Sequence, residues 1–188
     1  EVCVHHLWFE ESDYERLGNR IKWNPAIKTR FDRDALTDGV NSGLIDIIAT
    51  DHAPHTLQEK QSSYFKAPSG GPLIQHSLVA MMELYHKGRI AIEKIVEKMC
   101  HNPAIIYRIE ARGFIREGYK ADLCIINPDE PWKVTAGNTL YKCGWSPFEG
   151  EEFRSRVKYT IVNGNIVYEN GKLDENARGE RLLFKTNC

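Results

Sequence analysis

The chain has 188 residues, 41% of them hydrophobic and 27% charged, and a formal net charge of −1. That leaves enough apolar residues for a core and no basic excess, so a nucleic-acid partner held through its phosphates is excluded. The longest apolar runs fall short of the roughly 20 residues needed to cross a bilayer, and the start lacks the basic and apolar regions of a signal peptide, so no membrane partner and a cytoplasmic location are expected.

In chain order, Glu1 to Phe9 opens with a strand pattern, and Ser12-x-x-Glu15 has the spacing of a capping box before a short helical turn. Ile21 to Trp23 reads as the next strand, ending at Asn24-Pro25; Pro25 keeps Asn24 extended, which suits a side chain projecting from a strand end into a pocket. Asp32 is placed to cap a short helix, Arg33 to Val40, stopped by Asn41-Ser42-Gly43. Leu44 to Thr50 is nearly all apolar, as in a barrel strand buried on both faces. Strand, helix, strand in succession implies βα units.

Gln58 to Gly71 is rich in Ser, Gly, Pro and Lys and reads as a loop at the barrel's mouth, where function often sits. Leu73 to His86 and Ala91 to Cys100 are apolar at helical spacing, and His101-Asn102-Pro103-Ala104 breaks the second. From Gly113 the pattern changes to short strands, Leu123 to Asn127 and Val157 to Val162, with hairpin signals at Asn163-Gly164 and Asn170-Gly171. Two units are expected, 1–112 and 113–188. The five cysteines, Cys3, Cys100, Cys124, Cys143 and Cys188, have no C-x-x-C spacing and an odd count, so free thiols in buried packing are expected.

Chemistry concentrates in Ala49-Thr50-Asp51-His52-Ala53-Pro54-His55, an acid and two imidazoles following an apolar strand. In a parallel α/β barrel the carboxyl ends of strands carry the reacting groups, so this pattern reads as a metal or general-base site. On residue types alone an equal reading is a buried Asp capping the next loop beside two hydrogen-bonded surface histidines. His5 and His6, taken as neighbours on a strand, point to opposite faces and do not converge on one metal. His76, His86 and His101 lack ligand-like spacing and are expected to be surface or capping residues.

The residues from Ala49 to Lys60, A-T-D-H-A-P-H-T-L-Q-E-K, resemble the second signature of dihydroorotases, the zinc amidohydrolases of pyrimidine synthesis. Lys22-Trp23-Asn24-Pro25-Ala26-Ile27-Lys28 resembles that family's K-x-N-P-P-L-R element, departing from it at Ala26, Ile27 and Lys28. Glu1-Val2-Cys3-Val4-His5-His6-Leu7 is similar to E-V-x-P-H-H-L, with Val4 where Pro is usual. Pro68-Ser69-Gly70-Gly71-Pro72 falls where the family has a Gly-containing substrate loop. The run from Gly113 to Leu123 resembles the turn by which amidohydrolase chains leave the barrel, and Gly144 to Gly150 resembles a W-S-P-F-E-G element whose aromatics are expected to pack the core.

The resemblance implies an α/β fold: the C-terminal part of a metal-dependent (β/α)8 TIM barrel followed by a small β-sandwich-type unit. It implies Zn2+, one or two ions per complete site, with Asp51 as both ligand and catalytic acid/base. Substrate contacts fall to Asn24, His55 and the backbone near Ser69 and Gly70, and the substrate is dihydroorotate or N-carbamoyl-L-aspartate. The family's His-x-His pair and its other ligands would belong to a missing N-terminal portion, because 188 residues that include a β unit cannot hold a barrel of about 250. A homodimer fits the same reading. Two alternatives stay open: a dihydropyrimidinase- or hydantoinase-type cyclic amidase, and a non-catalytic dihydroorotase-like scaffold.

Overall fold

A computed structural model describes residues 1–186; Cys188 lies outside them. The first half runs β1 (Val2–Cys3), α1 (Val4–Trp8), α2 (Tyr14–Leu17), α3 (Arg30–Ser42), β2 (Ile48–Ala49), α4 (Leu57–Lys60), α5 (Ser77–His86), α6 (Ile92–Val96) and α7 (Asn102–Ile106). The second half runs β3 (Leu123–Asn127), β4 (Trp132–Lys133), β5 (Glu152–Phe153), β6 (Arg156–Val162), β7 (Asn165–Glu169) and β8 (Lys172–Leu173). β1 and β2 pair in parallel, Val2 opposite Ile48 and Cys3 opposite Ala49. Parallel pairing needs a crossover, which α1 to α3 supply, and it leaves both strands' carboxyl ends side by side.

Several elements differ from their sequence pattern for local reasons. The opening strand stops at Cys3, because Val4 and Leu7 lie one turn apart and bury the same face of a helix. The capping box near residue 12 is made by Glu10 and Asp13 rather than Ser12 and Glu15. Ile21 ends a 3-10 turn, Gly18–Ile21, instead of opening a strand. Thr29 rather than Asp32 caps α3: its side chain accepts from the Asp32 N–H while the Asp32 carboxylate accepts from the Thr29 N–H, so the helix starts at Arg30. At the other end Gly43, at φ +86, closes α3, and the Ile45 N–H bonds the Gly39 carbonyl at 3.0 Å. Leu44 and Ile45 therefore finish the helix, Leu44 is left 83% exposed, and the strand expected over 44–50 shortens to β2.

The stretch expected as one helix over 91–100 is α6 followed by a π turn, Glu97–His101, leading into α7. Within the loop expected over 58–71, Thr56 and Glu59 form a capping box that starts α4. In the second half β3, β6, β7 and β8 form a four-stranded antiparallel sheet in that order. Asn163 (φ +52) and Gly164 (φ +82) both take positive φ, as a type I′ hairpin turn requires.

One apolar core joins the halves. Phe9, Trp23, Leu73 and Met81 from the first half share it with Phe148 and Phe153 from the second. Trp8 meets the edges of Phe148 and Phe153 at centroid distances of 5.4 and 5.6 Å. Trp145 and Phe148 are fully buried, so the Trp-Ser-Pro-Phe-Glu-Gly segment packs as expected. The four described cysteines are free, but none is buried, against the expectation of interior packing. No helix of the described residues is long and apolar enough to cross a membrane.

Candidate active site

Asp51 follows β2 directly, with φ +45 and its side chain exposed, beside the end of β1. A non-glycine residue at positive φ is uncommon and costs on the order of 1–3 kcal/mol, a strain that collects at functional sites. It turns the chain out of β2 into residues 52–55. Here the next segment meets them. His52 bridges to Gly71, and its Nδ1 accepts from the backbone N–H groups of Leu73 and Ile74 at 3.0 and 3.3 Å. The Ala53 N–H donates to the Gly71 carbonyl at 3.3 Å.

His55 is half-buried, and its Nε2–H donates to the Ser69 carbonyl at 3.1 Å. The Trp145 indole N–H donates to the His55 carbonyl at 2.8 Å, anchoring the histidine's backbone to the core. Gly70, at φ +115, sits so close to Ala53 that a Cβ would lie 2.7 Å from the Ala53 carbonyl oxygen. A Cβ on Gly71 would lie 2.8 Å from the Trp23 ring. Glycine is required at both places by close approach. Asn24 is exposed and precedes a cis Asn24-Pro25 peptide; its segment is tied in through the Gly70 N–H, which donates to the Lys22 carbonyl at 2.9 Å. The fold thus connects the segments bearing Asn24, Asp51, His55, Ser69 and Gly70 at one end of the parallel strands.

The histidines after β1 contradict the strand-based expectation. Cys3 at the end of β1 and His5 and His6 on α1 bring ligand atoms within 4.8 Å of one another. His5 is buried, stacked on Trp23 at 4.3 Å and 9°, and burial, reinforced by His6, pushes its pKa down to about 3. Neither of its ring nitrogens makes a well-formed hydrogen bond among the described residues, although the Thr50 backbone is close enough to act on the ring. Burial, with the charge of Asp51, pushes the Cys3 thiol up to about 11, which keeps it protonated. His6 is only partly buried, and its Nε2–H donates to the Pro25 carbonyl at 2.9 Å, leaving Nδ1 with its lone pair. This cluster was masked in the sequence because i,i+1 neighbours diverge on a strand, whereas a helical turn at the strand end draws them together.

The other histidines are accounted for by packing. His76 is buried rather than at the surface, with Nδ1 3.0 Å from the Ser146 hydroxyl. Burial lowers its pKa to about 4. His86 Nε2 meets the Ser155 hydroxyl at 2.8 Å, and His101 stacks on Phe114 at 4.3 Å.

The amidohydrolase family pattern matches residues 1–167. The chain is 42% identical over 169 residues to the dihydroorotase of Clostridioides difficile (strain 630), covering 89% of this chain and 39% of that protein. It is 36% identical over 188 residues to the dihydroorotase of Pyrococcus horikoshii, covering all of this chain and 43% of that one. Among solved structures, the L-hydantoinase (dihydropyrimidinase) from Arthrobacter aurescens superposes with a TM-score of 0.83 at 31% identity, over 90% of this chain and 39% of that one. A D-hydantoinase (dihydropyrimidinase) from Thermus sp. gives 0.82 at 20% identity, over 92% and 39%. The chain spans about two fifths of the length of the relatives it matches. With its paired parallel strands and the polar segments at the carboxyl end of β2, the chain is mixed α/β, matches part of the (β/α)8 fold of these relatives, and belongs to the amidohydrolase family.

Proposed function

We propose that this chain is the C-terminal portion of a dihydroorotase, which interconverts dihydroorotate and N-carbamoyl-L-aspartate in cytoplasmic pyrimidine synthesis. An N-terminal portion of the same enzyme would supply the rest of the barrel. Within the chain, 1–112 would belong to the barrel and 113–188 to the small β unit. The observation that carries the reading is that the segment following Asp51 at the end of β2 is bound to the glycine loop, His55 to the Ser69 carbonyl and Ala53 to the Gly71 carbonyl.

The donor set fits zinc, which takes carboxylate oxygen and imidazole nitrogen. Asp51 would hold it, with further ligands from the rest of the barrel; of the imidazoles after β1, His6 is the one with a ring nitrogen left over. The His6 ring is already oriented by its bond to the Pro25 carbonyl, as metal-binding histidines commonly are by a second hydrogen bond. Bound there, zinc supplies a water of near-neutral pKa and polarises an amide carbonyl.

The Asp51 carboxylate takes the proton from the attacking water and delivers it to the departing ring nitrogen. The Asn24 amide and the His55 ring would donate to the substrate's exocyclic carboxylate, His55 through a protonated Nδ1 because its Nε2–H serves the Ser69 carbonyl, and the Ser69–Gly70 backbone would lie against the ring. The likeness to L-hydantoinase makes neutral cyclic amides the competing substrate class. His55→Ala in the full-length enzyme separates the two. A hydrogen bond to a charged group is worth roughly 1.5–3 kcal/mol, so kcat/KM for dihydroorotate should fall by about 10- to 150-fold and that for dihydrouracil much less. Equal losses on both substrates would remove His55 from carboxylate recognition.

A further inference from the structure

Lys60 is 2% exposed, yet among the described residues no carboxylate pairs with it. Its ammonium donates to three backbone carbonyls: Lys22 at 3.2 Å, Pro68 at 2.9 Å and Gly70 at 2.7 Å. An ammonium has three donors and no acceptor, so this cage saturates it. A charge buried this way without a counter-ion is costly, and burial together with the nearby Lys22 lowers its pKa to about 8. The geometry specifies what the cage holds. Lys22 is two residues before Asn24, Pro68 and Gly70 flank Ser69, and α4, which ends in Lys60, is capped by Thr56 next to His55.

Lys22 works the same joint from the other side. Its own ammonium donates to the Tyr64 and Ala67 carbonyls at 2.5 and 2.6 Å, tying down the loop that carries Ser69. The paired lysines thus fasten segments that have no regular secondary structure to hold them in register. We propose that Lys60 is a positioning residue for substrate binding, locking the Asn24 segment and the Ser69–Gly70 backbone at a fixed separation beside His55. This rests on the assignment of those groups to substrate above.

The test uses the full-length enzyme with Lys60→Met, which keeps the stem and removes all three donors, and Lys60→Gln, which keeps an NH2 donor. Wild-type turnover of dihydroorotate is measured first and reports on the activity reading alone. KM and kcat of the variants are then compared with wild type on whichever cyclic amide the wild type opens, alongside hydrogen exchange of the backbone amides of residues 61–70. The expected result is KM raised at least tenfold by Lys60→Met and less by Lys60→Gln, kcat within threefold, and faster exchange in that loop. A structural role alone would lower the melting temperature or the fraction of active enzyme and leave KM unmoved; that result, in either variant that folds, overturns the proposal.

Discussion

Gly70→Ala puts the smallest side chain into the tightest contact of the site. The new Cβ would lie 2.7 Å from the Ala53 carbonyl oxygen and 2.9 Å from the Ala53 Cβ, at a backbone φ of +115 that L residues rarely adopt. The clash is with backbone, so the loop has to give way rather than a flexible side-chain end. Relief moves Gly70 away from Ala53, lengthening the bonds from its N–H to Lys22 and from Lys60 to its carbonyl, now 2.9 and 2.7 Å. A residue forced into a sparse backbone region costs on the order of 1–3 kcal/mol. If that strain is felt by the loop in its substrate-binding position, KM rises about 5- to 150-fold, at a factor of ten per roughly 1.4 kcal/mol. Gly164→Ala is the control, with φ +82 but no atom within 4 Å of its Cβ, in the hairpin between β6 and β7. It should lower the melting temperature and leave KM alone. Steady-state kinetics of both variants in the full-length enzyme, with thermal melts, decide the point. A folded Gly70→Ala enzyme with KM within twofold of wild type would refute the claim that this backbone contact shapes the substrate site.

Asp51→Asn should cut kcat by about 10²- to 10⁴-fold with a smaller change in KM, as expected on losing a general acid/base; near-normal kcat with metal content unchanged would assign the proton transfer elsewhere. His76 gives a pH signature of stability. Its folded pKa, lowered by burial to about 4, lies below the unfolded value of 6.5, so the unfolded chain binds the extra proton. The stability contribution of the neutral ring is complete above pH 6.5 and is lost as pH falls from there toward 4, to a total of about 3 kcal/mol. Denaturant midpoints measured between pH 7 and 4 should fall more steeply for wild type than for His76→Phe; parallel curves would show that His76 does not stay neutral in the folded protein.

The grammar of turns and hairpins was readable where one residue type meets one backbone need. Asn163-Gly164 specifies its own hairpin, and the β3 and β6 limits follow the apolar runs. Asp51, His55 and the glycine loop were legible as a motif, and the fold brings their segments together. What the sequence hid depends on context. His6 became visible as a donor only once the chain turned helical after Cys3, a change that period-2 reasoning over so short a run could not register. Lys60 looks like a solvated loop lysine; its burial depends on three carbonyls from segments 38, 8 and 10 residues away. The Leu44–Thr50 run, apolar apart from Asp46 and Thr50, lost its first residues to the glycine cap of α3, since that closure satisfies backbone groups a longer strand would leave for other partners.

The most direct test is a comparison of the full-length zinc-loaded enzyme on dihydroorotate, dihydrouracil and hydantoin under one set of conditions. A site in which His55, Asn24 and the Ser69–Gly70 backbone receive an exocyclic carboxylate predicts kcat/KM for dihydroorotate at least about 100-fold above either neutral ring, since a site built to hydrogen-bond a substrate group rejects an analogue that lacks it. Robust turnover of dihydrouracil or hydantoin with none of dihydroorotate would contradict the account.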